Sequence, residues 1–412
     1  MNRLLSTPLL ASLLFVGASA SALAQTSIIL QQDTTQRPIT TAVPFLAIAP
    51  DARSAGMGDA GVAISPDVNA IYWNPAKLAF IDQKYGFSLS YSPWLRNLVD
   101  DMHLSYLSGF YKLDERQAFG ASLRYFDLGD IQFTDNNGGI ITDFNPREFA
   151  FDVTYSRKLS EKIGVAVSGR FIHSNLSSNL TLPNTQESRP GTTGAADVAF
   201  FYTNDNLQIG GRPSILAFGL NISNIGAKIS YTSQNEQDFI PTNLRFGSAL
   251  TLALDPLERN KITIALDLNK LLVPTPPRLD SQGNIIEGED PRDKTLLSGI
   301  FGSFSDAPDG FSEELQEFTI SAGAEYKYHN QEGKDVFAAR AGYFYEAENK
   351  GDRKFFTVGV GLKALKNFAF DVAYLIPGNQ RQGNPLAETL RFTLAINFDQ
   401  KTERVYEGPE SR

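Results

Sequence analysis

The stretch Glu148–Ser156, EFAFDVTYS, decides the fold. Phe149, Phe151, Val153 and Tyr155 alternate with Ala150, Asp152, Thr154 and Ser156. A period of two puts the first set on one face of a strand and the second on the other. Ile262–Asn269 repeats the pattern, with Ile262, Ile264, Leu266 and Leu268 against Thr263, Ala265, Asp267 and Asn269. So does the stretch from Thr389 to Phe398, where Leu390, Phe392, Leu394, Ile396 and Phe398 face away from Thr389, Arg391, Thr393, Ala395 and Asn397.

Working outward, alternation recurs at 85–92, 102–111, 118–126, 163–174, 195–203, 215–223, 243–254, 318–328, 336–346, 354–363 and 368–376. That makes fourteen strands of about 8 to 12 residues, the length a tilted strand needs to cross a bilayer. Their connections alternate. Short turns such as Leu159-Ser160-Glu161-Lys162 are followed by long segments at 127–147, 175–194, 224–242 and 270–317. Short turns at one rim and long loops at the other describe an outer-membrane barrel, which places both termini in the periplasm and the long loops outside. A soluble sandwich has no reason to separate its connections this way.

Composition agrees. The chain has 412 residues and a net charge of −9, with 29 Phe, 15 Tyr and 33 Gly against three Met. Aromatic residues suit pleated surfaces and glycine suits their turns. It has no cysteine, hence neither a disulfide framework nor an acylated anchor residue. Residues 1–24 carry Arg3, an apolar run from Leu9 to Val16 and the small-residue ending Ala22-Leu23-Ala24; they read as a secretory signal peptide cleaved after Ala24. The apolar run is too short for a spanning helix. Residues 25–43 read as a mobile polar leader, residues 44–82 as a segment inside the barrel, residues 83–398 as the barrel, and residues 399–412 as a polar tail.

The segment before the strands has its own chemistry. From Pro50 to Phe80 it is rich in small residues, including Ala52, Ala55, Gly56, Gly58, Ala60, Gly61 and Ala63, which permit close backbone approach in a confined space. A short helix is expected over Asp67 to Trp73, with Asp67 as its N-cap and Asn74-Pro75 as its stop. This reads as a plug threaded through the lumen.

Charge identifies the inward face. Arg124, Asp152, Arg170, Asp197, Arg245, Asp267, Glu325, Arg340, Asp371 and Arg391 all lie on the polar parity of their strands. None could face lipid cheaply. Asp152 with Arg170, and Asp371 with Arg391, are candidate cross-strand pairs. These groups could line a selective polar channel or grip the plug; a balance of five arginines and five carboxylates favours the grip.

Signals for catalysis are missing. His103, His173 and His329 share no metal-ligand or triad spacing with a carboxylate, and Gly56-Met57-Gly58 lacks the strand and lysine of a phosphate loop. No cofactor, metal or catalytic role is expected, and the acidic balance argues against a nucleic-acid partner. The 270–317 loop is more informative. It carries Leu296, Leu297, Ile300, Phe301 and Phe304, which either meet a partner or fold back over the barrel mouth.

Ala52, Arg53, Gly56, Met57, Gly58, Ala60 and Gly61, followed by Asn69, Ala70, Tyr72, Trp73, Asn74, Pro75 and Ala76, resemble the amino-terminal hatch of the FadL-like outer-membrane proteins, and within them the PorV/PorQ group. The resemblance is specific mainly across Pro44 to Phe80. It implies an integral outer-membrane protein of the type IX secretion system of Bacteroidetes. Such a protein binds the C-terminal signal domain of secreted cargo at a giant translocon barrel and shuttles it to a sortase-type attachment complex, surrounded by outer-membrane lipid and without catalysis of its own. The wider superfamily implies an alternative, a transporter of hydrophobic small molecules. That reading requires an apolar pocket between hatch and lumen, where the strands instead place charges.

Overall fold

The computed structural model describes residues 37–95, 101–134, 139–176, 189–231, 237–280, 282–331, 335–364, 367–378 and 389–398. The expected signal peptide, most of the leader and the tail lie outside these residues.

Fourteen antiparallel strands close into a barrel. They are β1 (Tyr85–Pro93), β2 (His103–Lys112), β3 (Gln117–Asp127), β4 (Arg147–Lys158), β5 (Ile163–Asn175), β6 (Gly191–Ile209), β7 (Arg212–Gly226), β8 (Asn243–Ala253), β9 (Asn260–Leu271), β10 (Phe318–His329), β11 (Asp335–Tyr345), β12 (Lys354–Ala364), β13 (Phe368–Pro377) and β14 (Leu390–Phe398). Each pairs with its sequence neighbours, and β14 closes on β1 from Tyr85↔Phe398 to Tyr91↔Phe392. Every alternating segment of the sequence is one of these strands. Two small hairpins, 131–134 with 140–144 and 278–279 with 285–287, stand apart from the barrel within long loops.

Burial runs opposite to that of a soluble protein. On β4, Asp152 is 3% exposed while Phe151 and Val153 on either side are 45% and 50% exposed. The apolar parity, including Phe87, Leu107, Val167, Val198, Ile264 and Val358, covers the outside of the barrel. An exposed apolar band of this kind fits the hydrocarbon of an outer membrane. Among the described residues no helix is long and apolar enough to cross a membrane, a test that does not bear on strands.

The polar parity is buried because the lumen is full. Residues 44–82 run through it as four short turns: helices α1 (Ala52–Ala55) and α2 (Ala70–Trp73), and 3-10 turns at Pro44–Ala47 and Pro75–Phe80. Met57, Ala60, Ala63, Ile64 and Ala76 pack against Ala166, Ala199, Ala217, Ala249 and Ala265 of the wall. Small residues on both sides let the backbones approach closely.

The chain enters this segment from the loop rim. Arg37 donates its amide to Asn349, in the loop between β11 and β12, at 2.8 Å, whereas Phe398 ends β14 at the turn rim. The described residues therefore begin at the loop rim and end at the turn rim; the chain's two termini lie outside them. Residues 37–43 are also packed rather than mobile: Arg37 and Val43 are buried, and the Ala42 amide donates to the Phe239 carbonyl at 2.9 Å. Their apolar contacts with Leu104, Phe126 and Ile229 explain the difference.

Candidate functional site

The hatch is held by its own turns first. Asp51 caps α1, accepting from the Ser54 amide at 2.9 Å, and its second oxygen accepts from the Trp73 indole at 2.6 Å. One buried carboxylate thus ties the start of the hatch to its end. Gly58 has φ +70°, and a Cβ there would lie 2.5 Å from the Tyr343 amide, so only glycine fits. Gly56 packs against Gly359 of β12. Asn74 ends α2: its amide nitrogen donates to the carbonyls of Val62 and Phe200, and its oxygen accepts from the Ala76 amide across Pro75. Asp67 departs from expectation. The N-cap of α2 is Asn69, and Asp67 instead accepts from the Asn69 amide at 2.9 Å and from Arg53 at 2.7 Å, because the helix starts one residue beyond its reach.

Wall charges then clamp these turns. Arg53 makes a two-point contact with Glu325 of β10, at 3.0 and 2.9 Å, and Glu325 also accepts from Arg340 at 2.7 Å. Asp267 accepts from the amides of Gly61 and Val62 at 2.7 and 2.9 Å. Arg124 donates to the carbonyls of Phe45 and Leu46 and lies over the ring of Tyr72, which Arg245 covers from its other contact, donating to the Tyr72 hydroxyl at 2.7 Å. Ala52 and Gly58 amides donate to Thr393 and Thr357.

Asp152 and Arg170 pair as expected, and Arg170 also reaches Asp197 and Asn224 within the wall. Asp371 and Arg391 do not pair. Asp371 accepts from Arg340 at 2.6 Å, and Arg391 donates to Asp59 of the hatch at 3.0 Å. In the register Asp371 faces Thr393 and Ala373 faces Arg391, so the two are diagonal neighbours, and each finds a nearer partner elsewhere. Gly359 and Gly361 open the path along which Arg340 crosses to Asp371.

A second ionic cluster, which the sequence analysis did not single out, sits at the loop rim. Helices α3 (Leu296–Gly302) and α4 (Phe311–Gln316) lie in the 270–317 loop. Glu313 of α4 accepts from Arg37 at 2.7 and 3.1 Å, from Lys350 at 2.7 Å and from the Asp309 amide at 2.9 Å. Glu317 accepts from Lys270 and Lys350, and Glu314 from Lys270. Burial alone would raise the Glu313 carboxyl, but the hydrogen bonds from Arg37, Lys350 and the Asp309 amide hold it down at about 2. The cluster joins the entering chain, the longest loop and the β11–β12 loop. The one sequence hint is Gly310 followed by Glu313, Glu314 and Glu317, which share a helix face.

The apolar segment of the same loop divides between buried and exposed positions. Gly299 and Ile300 turn inward, with Gly299 against Phe239, and Leu296 is half-buried. Leu297, Phe301 and Phe304 point outward, Phe301 being 73% exposed. Phe311 and Leu315 on α4 are exposed as well, a stripe the sequence reading missed because it lies beyond the apolar run.

The three histidines stay apart: His103 lies between Tyr91 and Tyr125, His173 beside Thr192, and His329 2.8 Å from Asp335 at the turn rim. Near His329 a cavity of about 430 Å³ opens below the hatch. Its lining is mainly charged or polar, with a floor of Val68, Phe80 and Ile81.

Residues 31–278 match the family model described as type IX secretion system protein PorV. No curated protein matches the chain in sequence. Among solved structures it is similar to the Pseudomonas putida toluene transporter TodX, at 13% identity over 84% of this chain and 96% of that one, with a TM-score of 0.46. It is similar to the Ralstonia pickettii toluene transporter TbuX at 14% identity, 84% and 98% coverage and a TM-score of 0.44. A Pseudomonas aeruginosa FadL homologue matches at 12% identity, 88% and 99% coverage and a TM-score of 0.40.

Proposed function

The chain belongs to the family of the type IX secretion system protein PorV, and from that premise we propose that it carries protein cargo at its loop rim rather than solutes through its lumen. It is an outer-membrane component of that system. It binds the C-terminal signal domain of secreted cargo as this leaves the giant translocon barrel, and delivers it to the sortase-type attachment complex. The long loops face outside and the short turns face the periplasm. The chain performs no chemistry on its cargo.

The observation that carries this reading is the exposed apolar face of α3 and α4 above a lumen filled by a clamped hatch. Exposed aromatic side chains are the anchors that protein interfaces use. A solute route would need the hatch to leave, which means parting Arg53 from Glu325, Arg391 from Asp59 and Asp267 from two amides. Breaking one buried pair alone costs about 3–5 kcal/mol.

Affinity purification of the tagged chain from mildly solubilised membranes, followed by mass spectrometry, tests the proposal. A very large barrel and secreted proteins sharing C-terminal domains are expected in the eluate. Recovery of neither, together with uptake of a hydrophobic solute that depends on this chain, would overturn it.

A further inference from the structure

The exposed apolar face of α3 has an uneven electrostatic border, which, resting on the carrier reading above, narrows the kind of protein surface that fits it. The buried layer of the same loop is matched. Glu313, Glu314 and Glu317 meet Arg37, Lys270 and Lys350, so that layer lends the face no net charge.

The exposed layer is not matched. Arg278 is held by Glu287 at 3.0 Å and by Asp309, Arg292 by Asp238 at 3.2 Å, and Lys294 by Asp306 at 3.0 Å. Lys228 donates to the carbonyls of Pro291 and Arg292, at 3.2 and 2.9 Å, and lies over the ring of Phe239; the carboxylates acting on it are Asp238, Asp290 and Asp293. In the β11–β12 loop Glu346 holds Arg353, while Glu348 and Asp352 share Lys354. Every cation near the face is thus engaged. Among the described residues Asp290 and Asp293 make no ion pair, Asp280 serves only its own hairpin turn, and Glu289, with its side chain 76% exposed, shares Lys294 at 3.8 Å.

The surplus stands at both ends of α3. Asp290 caps the Pro291–Asp293 turn, and Asp293 lies two residues before Thr295, the N-cap of the helix. At the far end a Cβ on Gly302 would lie 4.0 Å from the amine of Lys294, the group that Glu289 and Asp306 share. Between these ends Leu297 and Phe301 are exposed one turn apart. An apolar centre inside a charged rim is the composition of a protein interface, and its rim charges set partner choice and approach.

We infer that this face takes a protein surface on which lysines or arginines border an apolar patch. The patch meets Leu297 and Phe301, and the cations meet Glu289, Asp290 and Asp293. The carboxylates orient the carried domain as it arrives, and the apolar side chains hold it.

Association kinetics test this, with the full-length chain in detergent micelles and, immobilised, a C-terminal signal domain from a protein that the same cell secretes. Glu289→Gln with Asp290→Asn and Asp293→Asn removes three charges at nearly constant shape, and Glu161→Gln, exposed in a turn at the opposite rim, is the control. Heat modifiability establishes that each variant is folded. The association rate of the parent should fall as salt is raised. The triple variant should associate severalfold more slowly at low salt, with a shallower salt dependence and an unchanged dissociation rate, while the control matches the parent. Leu297→Asp with Phe301→Asp should instead dissociate faster. Equal salt profiles for parent and triple variant, or faster association of the triple variant, would overturn the inference and leave the carrier reading standing, the carboxylates then being a solvated rim. A parent that does not bind the domain at all would overturn the carrier reading and this inference with it.

Discussion

Arg53 of the hatch and Glu325 of β10 meet through two hydrogen bonds, at 3.0 and 2.9 Å, with both side chains buried. The arrangement is not symmetric. Glu325 also accepts from Arg340 and lies 3.3 Å from Lys327, while Arg53 has Asp67 and Ser65. Glu325→Leu therefore takes a shared carboxylate from two buried arginines, leaving Arg53 with Asp67 and Arg340 with Asp371, and should cost up to about 3–5 kcal/mol. Arg53→Met leaves Glu325 its second arginine and should cost less. The double variant should recover about 0.5–3 kcal/mol of the summed loss. The temperature at which the folded band converts on heating reads all three; strict additivity would show that the contact carries no coupling.

Glycine at position 58 is a steric demand of a different kind. Gly58→Ala combines a backbone angle that side chains rarely adopt with a clash against the Tyr343 backbone, and overpacking of this sort costs about 1–3 kcal/mol. Gly169→Ala on β5 meets nothing within 4 Å and serves as the control. The first variant should convert at lower temperature and the second should match the parent. Equal behaviour would mean that the hatch backbone yields at this point.

The Glu313 cluster predicts acid sensitivity confined to the loop rim. Its folded carboxyl is depressed to about 2 from an ordinary 4.5, so it contributes stability that is complete above pH 4.5 and is lost as pH falls toward 2. Hydrogen exchange at the Asp309 amide, which donates to Glu313, should accelerate across that window beyond the intrinsic pH effect. Glu313→Gln should show the faster exchange at every pH. An amide that exchanges alike in both proteins above pH 4.5 would remove the carboxylate from this role.

What the sequence made legible follows from what each signal depends on. The fourteen strands were readable because lipid outside and charge inside impose a strict period of two, so Phe151, Asp152 and Val153 declare their faces locally. Asp152 and Arg170 were readable because they sit directly opposite in register. Asp371 and Arg391 were misassigned because depth in the barrel depends on the register between β13 and β14, and because Asp59 of the hatch was an unseen competitor. Glu313 was invisible for a related reason: its partners Arg37 and Lys350 are remote in sequence and converge only when the loops fold over the rim.

The last prediction separates a protein carrier from a solute channel, and the structure refines where to cut. Removing residues 296–304 whole would also remove Gly299 and Ile300, which pack inward near Phe239, and so confound docking with loop folding. Leu297→Asp with Phe301→Asp alters only the exposed stripe of α3, and surface changes away from packed groups stay within about 0.5 kcal/mol. Barrel amount and heat modifiability should match the parent. Loss of two apolar anchors from an interface costs about 2 kcal/mol or more each, enough to weaken docking tenfold or beyond. Secreted cargo should then accumulate inside the cell while the variant barrel stays in the membrane, and Ser298→Asp on the neighbouring polar position should secrete normally. Normal export and surface attachment of every cargo in the Leu297/Phe301 variant would remove α3 as the docking element and return the question to Phe311 and Leu315 of α4.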